Sequence, residues 1–254
     1  MIYADVHAHL DFPEYENDLK EVIKRASDKG VKRIVANGVN PGSNEKVLGI
    51  SKNYGVVKPA LGFYPTDVLD YSEEVINKEL ERIRKNKEVV AYGEVGLDYK
   101  YLPEKNQDEA KKRQKMVFQK FIELSEKTKM PLIIHSRKAE KDVLEMLESS
   151  SLKNPILHSF MAKKKLVERA SDNGYYLSVL PIVNKLQQVR DLVSYTPFKQ
   201  LLTETDSPYM SPEGGRNEPC NVSFCVDEIA KIKELEKVEA ANNLYMNYRK
   251  AFND

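Results

Sequence analysis

Short runs of aliphatic residues alternate along the chain with longer segments in which apolar and charged residues recur at helical spacing. Strands that are joined only through helices are expected to be parallel, because a parallel pair needs a long crossover connection. The aliphatic runs predict strands at 2–6, 32–36, 56–61, 89–93, 131–134, 155–158, 175–179 and 199–203. The amphipathic segments predict helices at 15–29, 43–53, 72–85, 107–129, 138–149, 162–173, 183–194, 222–235 and 238–252.

Eight strands that alternate with helices predict an α/β fold, the TIM-type (β/α)8 barrel. The sequence has 254 residues, and no linker, repeat or low-complexity tract divides it. We therefore expect residues 1–254 to form a single barrel domain. In barrels of this type the functional site lies at the C-terminal ends of the strands, so the polar residues at those ends are the informative ones.

All four histidines of the chain lie where a predicted strand ends. His7 and His9 follow the first strand, His135 follows the fifth and His158 follows the sixth. Structural histidines would scatter over helix faces and loops, whereas imidazole is the commonest protein ligand for a divalent metal. Residues two apart on a strand point to the same face, so His7 and His9 can reach one ion. The pattern favours a metal-dependent hydrolase.

Two carboxylates stand at equivalent positions, Glu94 at the end of the fourth strand and Asp206 at the end of the eighth. Six ligands exceed what one catalytic ion needs but suit two ions that share a bridging carboxylate. Mixed imidazole and carboxylate sites accept Zn, Mn, Mg or Ni, so we expect two divalent ions without choosing among these metals. The predicted metal ligands are His7, His9, Glu94, His135, His158 and Asp206.

The overall composition narrows the setting. The formal net charge is +1, so no global field attracts nucleic acid, and a polyanion would need a local basic patch or the metals themselves. No apolar segment approaches the length of a membrane span, and we expect a cytoplasmic protein with no membrane association. Nothing in the sequence indicates an obligate protein partner. Cys220 and Cys225 lack a nearby further Cys or His, and we expect both to be reduced thiols.

The polar residues at the strand ends belong to motifs that together resemble the TatD family of metal-dependent deoxyribonucleases, within the amidohydrolase-type barrels. The motifs occur in order over nearly the whole chain. They are Asp5-x-His7-x-His9, Gly93-Glu94-Val95-Gly96-Leu97-Asp98, His135-Ser136-Arg137, His158-Ser159-Phe160, Glu204-Thr205-Asp206-Ser207-Pro208 and Arg216-Asn217-Glu218-Pro219.

The resemblance implies how the ligands are divided between the metals. His7, His9 and Asp206 would hold one ion, His135 and His158 would hold the other, and Glu94 would bridge them. The catalytic residues would be Asp206, as general base toward a metal-activated water, and Glu94. The implied substrate is DNA, cut at a phosphodiester bond near a single-stranded end.

Two positions depart from the family pattern. The family often has Gly-x-His-Pro after the third strand, where this chain has Gly62-Phe63-Tyr64-Pro65, and it has glycine where this chain has Ala162. A tyrosine can still donate a hydrogen bond to a phosphate oxygen, so we expect Tyr64 and Arg137 to contact substrate. Arg216, on the loop after the eighth strand, is a further candidate for substrate binding. With no tryptophan in the chain, base stacking would fall to Tyr64 and Phe160.

Some roles stay open at the level of sequence. Asp5 and Asp98 are expected to orient ligands or to close turns, and Glu204 to shape its loop or to contact substrate. One alternative function keeps the metals and changes the bond: hydrolysis of an ester on aminoacylated tRNA, of the D-aminoacyl-tRNA deacylase type. The other is a barrel that binds metal or nucleic acid without turnover.

Overall fold

The aliphatic runs pair side by side, in chain order and in parallel, throughout residues 1–254 of the computed structural model. Together they form one eight-stranded sheet. The strands are β1 (Tyr3–Ala8), β2 (Val31–Asn37), β3 (Val57–Leu61), β4 (Ala91–Asp98), β5 (Leu132–Arg137), β6 (Ile156–Leu157), β7 (Tyr176–Val179) and β8 (Leu201–Thr203).

The sheet closes on itself between the segment after β8 and β1. Ala8 and Ser207 form a parallel bridge. The N–H of His9 donates to the carbonyl of Ser207 at 2.8 Å, and the N–H of Asp206 donates to the carbonyl of His7 at 2.9 Å. These contacts confirm the predicted TIM-type (β/α)8 barrel. They also place two candidate ligands beside the closing seam.

Helices cover the outside of the barrel, and several begin at a recognisable signal. The Asn40 side chain accepts a hydrogen bond from the N–H of Ser43, and the Ser72 hydroxyl accepts one from Val75, as N-terminal caps do. The helices are α1 (Leu19–Asp28), α2 (Pro41–Asn53), α3 (Glu73–Lys85), α4 (Gln107–Thr128), α5 (Glu140–Glu148), α6 (Lys164–Asp172), α7 (Gln187–Tyr195), α8 (Val222–Ile232) and α9 (Lys237–Phe252).

Two predicted helices start later than expected because a short 3-10 turn with proline at its first position precedes each. Pro13–Tyr15 replaces the first turn of the helix predicted at 15–29, so α1 begins at Leu19. Pro181–Asn184 does the same before α7. Proline fixes the backbone for such a turn but contributes no N–H to it.

Three strands run further than predicted. β1, β4 and β5 continue beyond residues 6, 93 and 134 to Ala8, Asp98 and Arg137. The apolar runs stop where polar residues begin, yet these polar residues remain paired: Gly96 lies opposite His135, and Asp98 lies opposite Arg137. Three of the six predicted ligands, His7, Glu94 and His135, are therefore carried by strands, which hold side chains more firmly than loops, and the other three follow shortly after strands.

The interior of the barrel is filled mainly by small and aliphatic side chains of the strands. Each of the eight strands contributes to this cluster, which includes Ala4, Ala60 and Ile133. Tyr248 and Phe252 of α9 pack against the same cluster, so α9 covers the N-terminal end of the barrel. The C-terminal end is left open. No helix of the protein combines the length and the apolar composition that crossing a bilayer requires.

Candidate metal centre

β1 presents His7 and His9 to the open end of the barrel, and Asp5 fixes their position. Both histidines are buried, and their Nε2 atoms lie 3.2 Å apart. The Asp5 carboxylate accepts hydrogen bonds from the N–H of His7 and from the N–H and hydroxyl of Thr205, which follows β8. Asp5 thus ties β1 to the segment that carries Asp206, which is one of the roles expected for it.

The two carboxylate oxygens of Glu94 face different histidines. Its Oε2 lies 3.5 Å from Nε2 of both His7 and His9. Its Oε1 lies 2.7 Å from Nδ1 of His135 and 3.6 Å from Nε2 of His158. The buried side chain of Glu94 therefore lies between one pair of histidines, His7 and His9, and a second pair, His135 and His158.

Asp206 lies beside the two histidines at the end of β1. Its Oδ1 lies 3.6 Å from Nε2 of His9 and 3.9 Å from Nε2 of His7. The backbone of Asp206 has a φ of +53°, a left-handed conformation that aspartate adopts more readily than most residues. Its hydrogen bond to the carbonyl of His7 holds it there. All six predicted ligands are brought together.

The spacing of these atoms fits divalent cations. Ligands about 2.1 Å from a tetrahedral ion lie about 3.4 Å from one another. The separations around His7, His9, Asp206 and Glu94 Oε2 run from 3.2 to 3.9 Å. Nδ1 of His135 is close to Glu94 but out of alignment for a hydrogen bond, and it has no hydrogen-bond partner, as suits an atom that ligates a metal. Two compact groups of ligand atoms emerge: His7, His9 and Asp206, and His7, Glu94 and His158.

Close backbone approach explains two glycines of the motifs. A Cβ on Gly62 would lie 2.5 Å from the carbonyl oxygen of Glu94. A Cβ on Gly96 would lie 2.1 Å from the carbonyl oxygen of His135, and the φ of Gly96 is +140°. These glycines let β3 and β5 come close enough to β4 to set Glu94 and His135 in place.

Hydrogen bonds orient His135 from behind. Its Nε2 lies 3.1 Å from Oδ2 of Asp98, which also accepts a 2.9 Å hydrogen bond from the Tyr64 hydroxyl. The same hydroxyl lies 3.3 Å from Nε2 of His135. An acceptor on one imidazole nitrogen fixes which nitrogen can ligate a metal. Because Tyr64 gives its proton to Asp98, this geometry assigns it to positioning His135 and leaves the predicted phosphate contact without support.

His158 is oriented in the same way by Glu204. Nδ1 of His158 lies 2.9 Å from Oε2 of Glu204, and the Ser178 hydroxyl donates to the same oxygen at 2.6 Å. The N–H of Ser159 donates to Oε1. Glu204 is completely buried, so it cannot contact substrate. Its hydrogen bonds fit the other role expected for it, which is to shape its loop. Nδ1 of His9 lies 3.2 Å from the backbone carbonyl oxygen of Asn37, which orients this histidine in the same way. No sequence motif predicted this contact.

The imidazoles and carboxylates of the centre shift one another's pKa values. Burial lowers the pKa of His158, but the charge of Glu204 and its hydrogen bond outweigh burial and raise the pKa to about 10. Burial would raise the pKa of Glu94, yet the surrounding imidazoles, His7 and His135 above all, hold it well below its usual value. The pKa of Asp206 is likewise lowered: burial opposes the shift, and His9, His158 and His7 cause it. Without a metal the imidazolium charges balance these carboxylates, and a divalent cation would take over that role by displacing the protons of the histidines.

The centre forms the floor of a cavity of about 610 Å³. Arg137 lines this cavity, and its guanidinium lies 5.0 Å from the ring centroid of Tyr101. The cavity is the right size for a small-molecule or nucleotide ligand. Its other walls are mainly aromatic or apolar, formed by Phe12, Val39, Tyr64, Tyr209 and Met210, with the carboxylate of Asp67 among them.

Two residues singled out in the sequence lie elsewhere. Arg216 lines neither this cavity nor the one next to it. Its guanidinium bonds to the carboxylates of Asp18 and Glu218, which gives it a structural ion pair in place of the expected substrate contact. Phe160 is fully buried in the core and cannot stack on a base. Its expected role is incorrect because an apolar residue after β6 is used for packing.

Several proteins of one known family are similar to this chain in sequence. The family profile described as TatD related DNase matches residues 4–253. An uncharacterized metal-dependent hydrolase of Methanocaldococcus jannaschii is 33% identical over 252 residues, which cover 98% of this chain and 96% of the relative. The human protein named Deoxyribonuclease TATDN3 is 31% identical over 259 residues, which cover 98% of this chain and 94% of that protein.

The solved structures agree with these matches. The crystal structure of YJJV, a TatD homolog from Escherichia coli, superimposes with a TM-score of 0.89 at 26% sequence identity, covering 99% of this chain and 98% of that chain. The resemblance stated from the sequence motifs is confirmed. The chain belongs to the TatD related DNase family of metal-dependent hydrolases.

Proposed function

We propose that this protein is a deoxyribonuclease that hydrolyses DNA phosphodiester bonds with two divalent cations. His7, His9 and Asp206 would hold one cation, His135 and His158 would hold the other, and Glu94 would contact both. The observation that carries the proposal is the division of Glu94: Oε2 faces His7 and His9, whereas Oε1 faces His135 and His158. A single-cation site would not need a carboxylate between two pairs of imidazoles.

The bound cations would supply charge neutralisation at the phosphate and lower the pKa of the attacking water. Asp206 would accept the proton of that water. It is an ionised carboxylate that lines the cavity, and its pKa is held low by His9, His158 and His7 even though burial opposes this. Arg137, on the cavity wall, would bind a non-bridging oxygen of the phosphate, because its guanidinium can donate two parallel hydrogen bonds.

DNA is favoured as the substrate by the named activity of a relative. The human protein at 31% identity carries the name deoxyribonuclease. A phosphoester would reach the site only with cations bound, since Glu94 and Asp206 would otherwise repel the phosphate. The alternative function, hydrolysis of the ester bond of aminoacylated tRNA, would use the same metal ligands. Aminoacylated tRNA is therefore tested as a second substrate.

The experiment compares metal content and hydrolysis in matched variants. Protein stripped with chelator and reloaded with Mn or Zn should bind two ions and cut end-labelled DNA. Glu94→Gln should lose occupancy of both ions, whereas His135→Ala should lose mainly one. Glu228→Gln, which removes a carboxylate of an ion pair with Arg190 on the outer helices, is the control and should match the parent.

The possible failures are distinct. A stoichiometry of one ion with unchanged binding in Glu94→Gln would overturn the two-cation proposal. Hydrolysis of aminoacylated tRNA without hydrolysis of DNA would overturn the substrate. Full activity in chelator would overturn both.

A further inference from the structure

The candidate ligands separate two cavities of unlike chemistry. The larger, about 610 Å³, is lined by the rings of Phe12, Tyr64, Tyr101 and Tyr209, and we name it the aromatic lobe. The smaller, about 230 Å³, is lined by Ser136, Lys138, Ser159 and Gln188, and we name it the polar lobe. The two lobes share His135, Arg137, His158, Asp206 and Met210, so three of the six candidate ligands stand on the boundary between them.

Two rings of the aromatic lobe are exposed to solvent. Tyr101 is 55% exposed and Tyr209 is 51% exposed, although both lie at the mouth of a deep cavity. Phe12 stacks on the candidate ligand His9 with ring centroids 4.6 Å apart, and Tyr209 meets Phe12 edge-on at 6.1 Å. A planar group in this lobe would therefore find aromatic faces beside the ligands.

Backbone N–H groups tie both exposed tyrosines to acidic residues of the site, one through a backbone carbonyl and the other through a carboxylate. The N–H of Tyr209 donates to the carbonyl of Asp206 at 2.9 Å. The N–H of Tyr101 donates to Oδ1 of Asp98 at 3.1 Å, and the ring of Tyr101 lies against Arg137. The backbone at each tyrosine is thus held at a fixed place relative to the candidate ligands, and both rings line the aromatic lobe.

We propose that Tyr101 and Tyr209 are specificity-determining residues that stack on a nucleobase adjacent to the phosphate that is cut. The inference rests on the proposed phosphodiesterase function. A base on the aromatic side places the phosphate over the ligands, and the polar lobe, with Lys138 and the hydroxyls of Ser136 and Ser159, receives the next sugar-phosphate. Bases in a duplex are paired and stacked, so the base that enters the lobe is unpaired.

The test uses two single-stranded oligonucleotides of equal length, one normal and one in which every base is missing from the sugar-phosphate backbone. Stacking of a base on an aromatic side chain should favour the normal strand about 5- to 100-fold in kcat/KM. Tyr101→Leu and Tyr209→Leu should each reduce this ratio, and the double variant should bring it near one. Tyr101→Phe and Tyr209→Phe keep the ring and should keep the ratio.

Tyr245→Leu is the control outside the site. Tyr245 belongs to α9 and packs against the interior cluster, at the opposite end of the barrel from the candidate ligands. It should leave the ratio unchanged. Binding is followed separately by the fluorescence of a strand that contains 2-aminopurine, using Asp206→Asn so that the strand is not cut. The quenching expected on stacking should be reduced when Tyr209→Leu is added and lost when Tyr101→Leu is added as well.

The outcomes separate the inference from the function on which it rests. If both strands are cut but the ratio is the same in the parent and the Leu variants, the stacking role is overturned and the nuclease stands. If a blunt duplex is cut as fast as the single strand, the unpaired-base requirement is overturned. If neither strand is cut by the metal-loaded parent, the proposed function itself fails.

Discussion

At the scale of single residues, the site depends on which atom of each side chain faces which neighbour. Glu94 offers one oxygen to the histidines of β1 and the other to those of β5 and β6. Asp98 and Glu204 each take the remaining nitrogen of a histidine. A histidine whose second nitrogen is so engaged presents the first in one orientation, which prepares it for a metal before the metal arrives.

Replacing Asp206 by asparagine should remove the proton acceptor while keeping an oxygen at the same place. A positioned general base contributes about 10²- to 10⁴-fold, so we expect Asp206→Asn to lower kcat by at least about 10²-fold with the fold intact. Steady-state cleavage of labelled DNA measures the rate, and circular dichroism measures the fold. Asp67→Asn alters a carboxylate of the same cavity that bonds to Asn40, and it should keep most of the activity. An Asp206→Asn protein as active as the parent would place the base elsewhere.

Replacing Tyr64 by phenylalanine removes the hydroxyl that Asp98 accepts. Changes to partners that orient metal ligands typically weaken metal binding by about 10- to 100-fold, and we expect the low end of that range. Isothermal titration with Mn should show weaker binding at one ion and an unaltered second ion. Tyr64→His, which restores the residue usual in the family, should recover part of the affinity. Tyr101→Phe removes a hydroxyl from the same cavity and serves as control; equal loss in it would contradict the role of Tyr64.

The residue scale also shows where sequence reasoning reached its limit. The gathering of the six candidate ligands was predictable because imidazole and carboxylate groups at strand ends have few other uses. The partners of those ligands were not, since Glu204 reaches His158 across 46 positions and Asn37 reaches His9 through its backbone carbonyl. Arg216 looked like a substrate contact because nothing in the sequence shows that Asp18 faces it.

At the scale of elements, several strands extend beyond their apolar runs and include polar residues of the candidate site. β4 extends to Asp98, so Glu94 and Asp98 lie on one paired strand between β3 and β5. The number and order of the strands were predictable, because each needs an aliphatic run to be covered on both faces. Their ends were not, because polar residues stay in a strand only when partners elsewhere in the fold satisfy them.

Replacing Gly96 by alanine tests how tightly β4 and β5 must approach. The added Cβ would lie 2.1 Å from the carbonyl oxygen of His135, and the φ of +140° is unfavourable for any side chain. We expect a loss of stability of about 1–3 kcal/mol and reduced metal content. Thermal unfolding and elemental analysis measure the two effects. Gly55→Ala, where a Cβ meets nothing within 4 Å, is the control. A Gly96→Ala protein with normal melting and full metal content would show that the strands have room to separate.

At the scale of the whole molecule, one end of the barrel is for stability and the other for chemistry. α9 packs its aromatic residues against the interior cluster at the N-terminal end. The ligands gather at the opposite end, where burial is combined with an opening to solvent. Changes to the site should therefore alter metal binding more than folding, which is the usual division in this fold.

Removing the metals should lower the melting temperature, since the ligand groups of Glu94 and Asp206 lose the charges that balance them. A ligand present at 100 times its Kd stabilises the folded state by about 2.7 kcal/mol. Calorimetry of chelated and reloaded protein measures the shift, and Glu94→Gln should respond less than the parent. A parent protein that melts at the same temperature with and without metal would show that the cations do not bind the folded site.

The seam between β1 and the segment after β8 keeps Asp206 beside the histidines. The Asp5 carboxylate joins Thr205, a partner 200 positions away, and the N–H of Asp206 donates to the carbonyl of His7. The other five candidate ligands lie on or directly after β1, β4, β5 and β6, and these strands pair with their neighbours without this seam. Opening the seam would therefore withdraw the proposed proton acceptor from the site, so the proposed activity depends on the closure of the barrel.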